Sequence, residues 1–157
     1  MKTLLLDNSL KLIPMTSKLY HKEKINYVTD PMMCDTPYVY DRINAQKEYD
    51  KRVNDKNRRW FAIVKDTTVI GDVYFKNINL MSKSATLSIA LTQDCYKGKG
   101  YSTSIIKKMI DYGINDLHLT SIYADAVLRN VRSQHVLEKV GFKYINEDNY
   151  LKYYEYK

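Results

Sequence analysis

The run Tyr96-Lys97-Gly98-Lys99-Gly100-Tyr101-Ser102-Thr103 places two of the chain's five glycines in one turn. It stands between an alternating apolar segment, Ala85 to Leu91, and a helical pattern that begins at Tyr101. A strand feeding a glycine-bearing turn that opens a helix leaves several backbone N–H groups without intrahelical acceptors. These groups point one way, with the positive end of the helix dipole behind them. Such a turn is a socket for phosphate, and it fixes the elements on either side of it. Other phosphate motifs fit worse: there is no Gly-Lys-Ser/Thr ending of a P-loop and no third glycine of a dinucleotide fold.

Around this turn the periodicities alternate between two and 3.6. Ser9 to Ile13 reads as a short strand, and Ser17 to Val28 as a helix with Leu19, Ile25 and Val28 on its apolar side and Asp30-Pro31 as its stop. A second helix is expected over Ala45 to Val53. Trp60 to Val64 and Val69 to Phe75 form a hairpin in which Gly71 marks a bulge or a close approach. Ala85, Leu87, Ile89 and Leu91 alternate with Thr86, Ser88 and Ala90. After the turn, Ile105, Ile106, Met109, Ile110, Gly113 and Ile114 recur at helical spacing. Ile122 to Leu128 is a strand, Asn130 caps a short helix with Ser133, Val136, Leu137 and Val140 inward, and Gly141 ends it. Phe142 to Ile145 and Tyr150 to Tyr156 make a C-terminal hairpin. The expected fold is a mixed α/β domain over residues 1–157.

Composition excludes more than it selects. With 157 residues, 45% of them hydrophobic, the chain can bury one ordinary core. Asp7 cuts the apolar start short and no apolar run is long enough to span a membrane, so a cytoplasmic protein without membrane contact is expected. Cys34 and Cys95 are far apart and lack histidine neighbours, which supports neither a disulfide scaffold nor a metal site. The formal charge of +7 attracts an acidic partner and disfavours a polycationic acceptor through long-range repulsion, unless a local acidic cleft reverses it. No aromatic-basic nucleic-acid motif accompanies that charge, so no nucleic-acid partner is expected.

The order of elements, Lys97-Gly98-Lys99-Gly100-Tyr101-Ser102 after the central strand, and Asn130-x-x-Ser133-x-x-Val136-Leu137-Glu138-Lys139-Val140-Gly141-Phe142 later together resemble the GNAT acetyltransferase superfamily. The nearest likeness is to the branch of ribosomal-protein N-terminal serine and alanine acetyltransferases. The resemblance implies a central, mixed, mostly antiparallel twisted sheet of six to seven strands flanked by about four helices. It also implies acetyl-CoA as co-substrate, an amine acceptor, no metal, and a monomer or homodimer. Backbone N–H groups from Gly98 through Lys99, Gly100, Tyr101 and Ser102 to Thr103 would hold the diphosphate, with Lys97 and Lys99 adding charge. Lys97 stands where the family carries glutamine or arginine, which removes the bidentate fork of arginine. The strand ending at Ala90, Leu91 and Thr92 is expected to splay from Ile122 to Leu128, freeing main-chain groups for pantetheine.

Direct acetyl transfer needs an unprotonated amine, a donor to the developing oxyanion and a proton for the leaving thiolate. Asn130 matches the family's asparagine at the cofactor, and as a helix N-cap it has a structural use as well. Many relatives place a tyrosine seven residues later as the acid, where this chain has Leu137. Ser133 is the candidate substitute, and a serine bonded back to its helix is the rival reading. Asp125 is the candidate base, with Thr86, Ser88, Asp72, Glu147 and Asp148 as other positions. Cys95 reads as structural, His21, His118 and His135 as surface or packing residues, and Tyr150, Tyr153, Tyr154 and Tyr156 as possible walls of an acceptor pocket.

Overall fold

The alternating segments pair in chain order along most of the sheet in the computed structural model, which describes all 157 residues. The strands are β1 (Leu4–Leu5), β2 (Leu10–Pro14), β3 (Arg59–Lys65), β4 (Thr68–Asn79), β5 (Ser84–Leu91), β6 (Ser121–Val127), β7 (Lys143–Glu147) and β8 (Leu151–Tyr156). The helices are α1 (Ser17–Ile25), α2 (Arg42–Val53), α3 (Tyr101–Asn115) and α4 (Val131–Val140). One eight-stranded sheet runs β1-β2-β3-β4-β5-β6-β8-β7, antiparallel at every join except β5 to β6. One strand more than expected appears because β1, two residues long, is too short to leave a periodicity. No helix is long and apolar enough to cross a membrane.

Each face of the sheet is covered by its own helices. Phe61, Ile63, Val73, Phe75 and Leu87 pack against Ile105, Ile106, Met109 and Ile110 of α3. Trp60, Ala62, Val64 and Val69 point to the other side, toward Tyr20 of α1 and Ala45 of α2. The helix α3 obeys its sequence pattern with one exchange. Tyr112 is buried between Phe61 and Phe75, at ring-centre distances of 5.5 and 6.5 Å, whereas Ile114 is 43% exposed.

Of the apolar side expected for α1, only Leu19 packs on the core. The helix stops at Ile25, and Ile25 and Val28 are 60% and 61% exposed, while Tyr20 and Glu23 are buried. Two contacts decide this. Tyr20 meets Trp60 edge to face at 5.1 Å, and beyond the helix Val28 N–H donates to the Thr92 carbonyl at 2.8 Å. The next helix, α2, starts three residues earlier than its apolar pattern, because Asp41 Oδ1 accepts from the Ile43 and Asn44 N–H groups at 2.8 and 3.1 Å.

Glu23 is the costliest residue in this layer. It is fully buried beside Asp72, whose Oδ2 accepts the Trp60 indole N–H at 2.8 Å, and no donor from the rest of the protein reaches either Glu23 oxygen. Burial first, then the neighbouring Asp72 charge, push the Glu23 carboxyl well above the ordinary glutamate value of 4.5. The stability contributed by the neutral carboxyl is complete below pH 4.5 and is lost as the pH rises toward the folded value.

At Gly71 the sequence signal finds a double explanation. Ile70 is extra where β4 passes β3, with Ile63 opposite Gly71 and Val64 opposite Val69. On its other side, a Cβ at Gly71 would stand 2.1 Å from the Ala90 carbonyl oxygen of β5. Gly71→Ala is expected to cost about 3 kcal/mol in urea unfolding through overpacking. Gly98→Ala, with open space around its would-be Cβ, should cost only the left-handed backbone strain of about 1–2 kcal/mol. Equal costs at the two sites would contradict the close approach. Glu23→Gln should stabilise the fold relative to the wild type by an amount that grows with pH above 4.5, by at most about 1.4 kcal/mol per pH unit. Urea midpoints at pH 4 and pH 8 test this, and a pH-independent difference would refute it.

Candidate active site

Strands β5 and β6 are paired over only three residues each, Ser84 to Thr86 against Ser121 to Tyr123. Beyond Leu87 and Ala124 they part, and a cavity of about 450 Å³ fills the gap. That volume lies within the usual range of small-molecule sites. One wall is the free edge of β5, including Ser88, Ala90 and Leu91, and the other is β6 from Ala124 to Val127. The splay therefore leaves main-chain groups facing a cavity instead of a neighbouring strand.

The mouth of the cavity is the glycine turn. Gly98 and Gly100 adopt φ of +73° and +81°, and no atom lies within 4 Å of a Cβ built on either. Gly100 caps α3 without a side-chain bond, so the N–H groups of Tyr101, Ser102 and Thr103 have no acceptor before Ser104 N–H bonds to the Gly100 carbonyl at 3.2 Å, and Ser102 and Thr103 border the cavity. A short helical turn, Asp94–Tyr96, carries the chain from β5 to this mouth.

At the far side the α4 N-terminus contributes Asn130 and Ser133. Asn130 is 8% exposed, and its Oδ1 accepts the Ser133 N–H at 3.1 Å, so the cap is real and the residue also borders the cavity. Ser133 is half-buried on the same wall, and its hydroxyl makes no bond back to the helix. Asp125 borders the cavity from β6 with an exposed carboxylate. Leu137 lines the cavity as well and offers no proton.

Of the residues singled out in the sequence, Ala90, Leu91, Lys97, Gly98, Gly100, Ser102, Thr103, Asp125, Asn130 and Ser133 border this one cavity. Lys99, Tyr101 and Thr92 do not. Lys99 is exposed on the turn, and Tyr101 lies under the Lys65 ammonium at 5.8 Å. Thr92 serves as a backbone clamp, donating to the Ile70 carbonyl and accepting from Val28, both at 2.8 Å.

Lys97 is not a free charge. Its Nζ lies 2.7 Å from Asp30 and 3.1 Å from Asp94. Burial lowers the Lys97 ammonium, but these two hydrogen bonds outweigh it and leave its pKa above the ordinary lysine value. Burial raises Asp30, and the Lys97 and Met32 hydrogen bonds more than reverse it.

Asp30 belongs to residues 26–41, of which the sequence pattern puts 26–28 in the first helix and gives the rest no periodicity, whereas the helix ends at Ile25. Its Tyr27, Asp30 and Met33 line the cavity. The segment is tied to one lip by Asp30 and Lys97, and to the other by Arg129, which reaches the Asp35 carboxylate at 3.0 Å and the Met32 carbonyl at 3.1 Å. Arg132, His135 and Lys139 of α4 add exposed positive or titratable groups at the cavity edge. No local signal marks them, because they follow from which face α4 presents. Gln134 and Leu137 are the buried side, with Gln134 donating to the Val127 and Leu128 carbonyls at 3.1 and 2.8 Å.

The tyrosines of β8 do not wall the cavity: Tyr154 is buried in the core and Tyr150 is 76% exposed on the turn. Asp148 is spent on that turn, accepting from the Tyr150 and Leu151 N–H groups and the Tyr153 hydroxyl. Glu147 takes the Tyr144 hydroxyl at 3.1 Å. Cys95 is exposed, outside the cavity lining.

Comparison with known proteins agrees with this architecture. The chain is 32% identical over 94 residues to spermidine N(1)-acetyltransferase of Escherichia coli strain K12, a match that takes in 60% of this chain and 50% of that one. The N-acetyltransferase p20 of Bacillus licheniformis is 30% identical over 127 residues, covering 74% and 70% of the two chains. The chain thus spans about half the length of the spermidine acetyltransferases it matches. The fold superposes on a ribosomal L7/L12 alpha-N-protein acetyltransferase in complex with coenzyme A, with a TM-score of 0.85 at 13% identity over 98% and 97% of the chains. It also superposes on spermidine N-acetyltransferase from Vibrio cholerae in complex with CoA and spermine, with a TM-score of 0.73 at 22% identity over 96% of each. Residues 9–143 match the model of the acetyltransferase (GNAT) domain, and the chain belongs to that family.

Proposed function

We propose that the chain transfers the acetyl group of acetyl-CoA directly to a primary amine. The observation that carries this reading is the parting of β5 from β6 with an uncapped, glycine-entered helix at its mouth. An extended arm bearing amides suits the free edge of β5 at Ala90 and Leu91, where it pairs as a strand would. A diphosphate suits the N–H groups of Gly98 to Thr103. Lys99 adds charge there, while Lys97, already shared by two carboxylates, holds the turn in shape.

In this reading the thioester lies between Asn130 and Ser133 on one side and β5 on the other. The amine nitrogen attacks the carbonyl carbon, the oxygen takes up negative charge, and the carbon–sulfur bond breaks. Asp125 accepts the proton lost by the amine and passes it to solvent, while the Ser133 hydroxyl donates a hydrogen bond to the departing thiolate, which takes its proton from water. A thiol's ordinary pKa near 8.5 makes that donation useful without making it indispensable. Among acceptors, peptide N-termini, amino acids and small amines all suit an open cavity, and the relatives' names include a polyamine and a ribosomal protein terminus.

Leu137, in place of the acid tyrosine of many relatives, favours a second reading in which the scaffold binds CoA or a partner without turnover. Calorimetry with acetyl-CoA and single-turnover transfer to an amine panel separate the two. Transfer to at least one amine is expected. Gly100→Val should weaken acetyl-CoA binding by about tenfold or more, since a β-branched residue is strained at positive φ. Ser133→Ala and Asp125→Ala should each slow transfer at least about tenfold with acetyl-CoA affinity retained. Heat of binding without product from any amine would establish the non-catalytic reading, and absence of heat would overturn both.

A further inference from the structure

Beside the cavity, three tyrosine rings enclose one ammonium. Lys24 Nζ lies 4.6 Å from the ring centre of Tyr27, 5.4 Å from that of Tyr20 and 5.5 Å from that of Tyr38. Tyr27 and Tyr38 meet edge to face at 5.3 Å, which fixes two walls of the box. Carboxyl groups lie next to it: Glu23 is fully buried with neither oxygen matched to a donor, Asp72 is its neighbour, and Glu48 accepts the Tyr20 hydroxyl at 2.8 Å, while Arg52 Nη1 donates to the same hydroxyl at 3.3 Å. Tyr27 is shared between this box and the cavity lining, so the two adjoin.

Ring faces within about 6 Å of a cation, beside carboxylates, make the composition that recognises alkylammonium ions. A lysine on a helix surface ordinarily extends its charged head to water. Lys24 is instead half-buried in the box, and its four-carbon stem ending in a primary ammonium shows what the box accepts.

We propose that this box is the distal subsite of the acceptor, taking the second ammonium of a linear diamine or polyamine while the other, unprotonated amine faces the acetyl group. Lys24 is the internal occupant that such an acceptor displaces. The inference rests on the acetyl-transfer reading for its substrate, and on the box alone for its ligand class. A monoamine has no second cation to place there.

The test compares 1,4-diaminobutane with n-butylamine, both as acetyl acceptors and, by calorimetry, as ligands of the protein without acetyl-CoA. Lys24→Met removes the internal competitor and should raise the diamine-to-monoamine ratio of kcat/KM and of affinity about tenfold. Tyr38→Leu removes a wall and should lower both ratios about tenfold. Lys22→Met deletes the same charge from the exposed side of α1 and should move them less than twofold. Ratios that stay within twofold in both box variants, or that move as far with Lys22→Met, overturn the subsite even if butylamine is acetylated. If neither amine is acetylated while the binding ratios follow the box variants, the subsite stands and the acetyl-transfer reading falls.

Discussion

Three residue pairs hold β5 to β6, and the separation that follows them organises the molecule. A parallel pair that stops after Thr86 and Tyr123 leaves two strand edges that cannot satisfy each other, in the middle of a sheet whose other joins are closed. The surrounding residues keep that gap open. Gly71 lets β4 approach Ala90 closely, so β5 stays with β4 instead of returning to β6. Thr92 then anchors the end of β5 to Ile70 and Val28. On the opposite wall, β6 is held by six register pairs with β8, from Ile122 to Val127. The cavity is thus a consequence of stronger pairing on either side of it.

Charge is distributed to match. Exposed basic groups stand at the cavity mouth in Lys99 and along the exposed side of α4 in Arg132 and Lys139. Carboxylates are gathered instead behind α1, at Glu23, Asp72 and Glu48, against aromatic rings. Residues 26–41 lie between these regions and are tied to both lips by Lys97 with Asp30 and Arg129 with Asp35. The cavity with its glycine turn and the tyrosine box around Lys24 are thus neighbours that share Tyr27.

What the sequence made legible depended on whether a residue's role was local. Gly98 and Gly100 were readable because a positive φ at a helix entrance calls for glycine whatever the rest of the fold does. The helix α3 was readable because its apolar stripe from Ile105 to Gly113 packs on one sheet face. The first helix was misread in detail: Tyr20 and Glu23 are buried by Trp60 and Asp72, which lie dozens of residues later, and no 3.6-residue pattern announces a buried glutamate. Likewise Tyr27, Asp30 and Met33 reach the cavity only because α1 and α2 pack on one face of the sheet, and Gln134 is buried by bonds to carbonyls of the preceding loop. The splay itself leaves no mark in the composition of β5 or β6, and it entered as an expectation through the resemblance of the two flanking motifs.

The most direct test is a residue-by-residue map of backbone amide resonances during titration with CoA. The largest shifts should fall on Gly98 to Thr103 and on the free edge of β5 at Ala90 and Leu91, with the β2–β3 pairing undisturbed. Saturable binding with those amides unmoved, or shifts centred on another surface, would contradict the assignment of the parted strands and the glycine turn as the cofactor site.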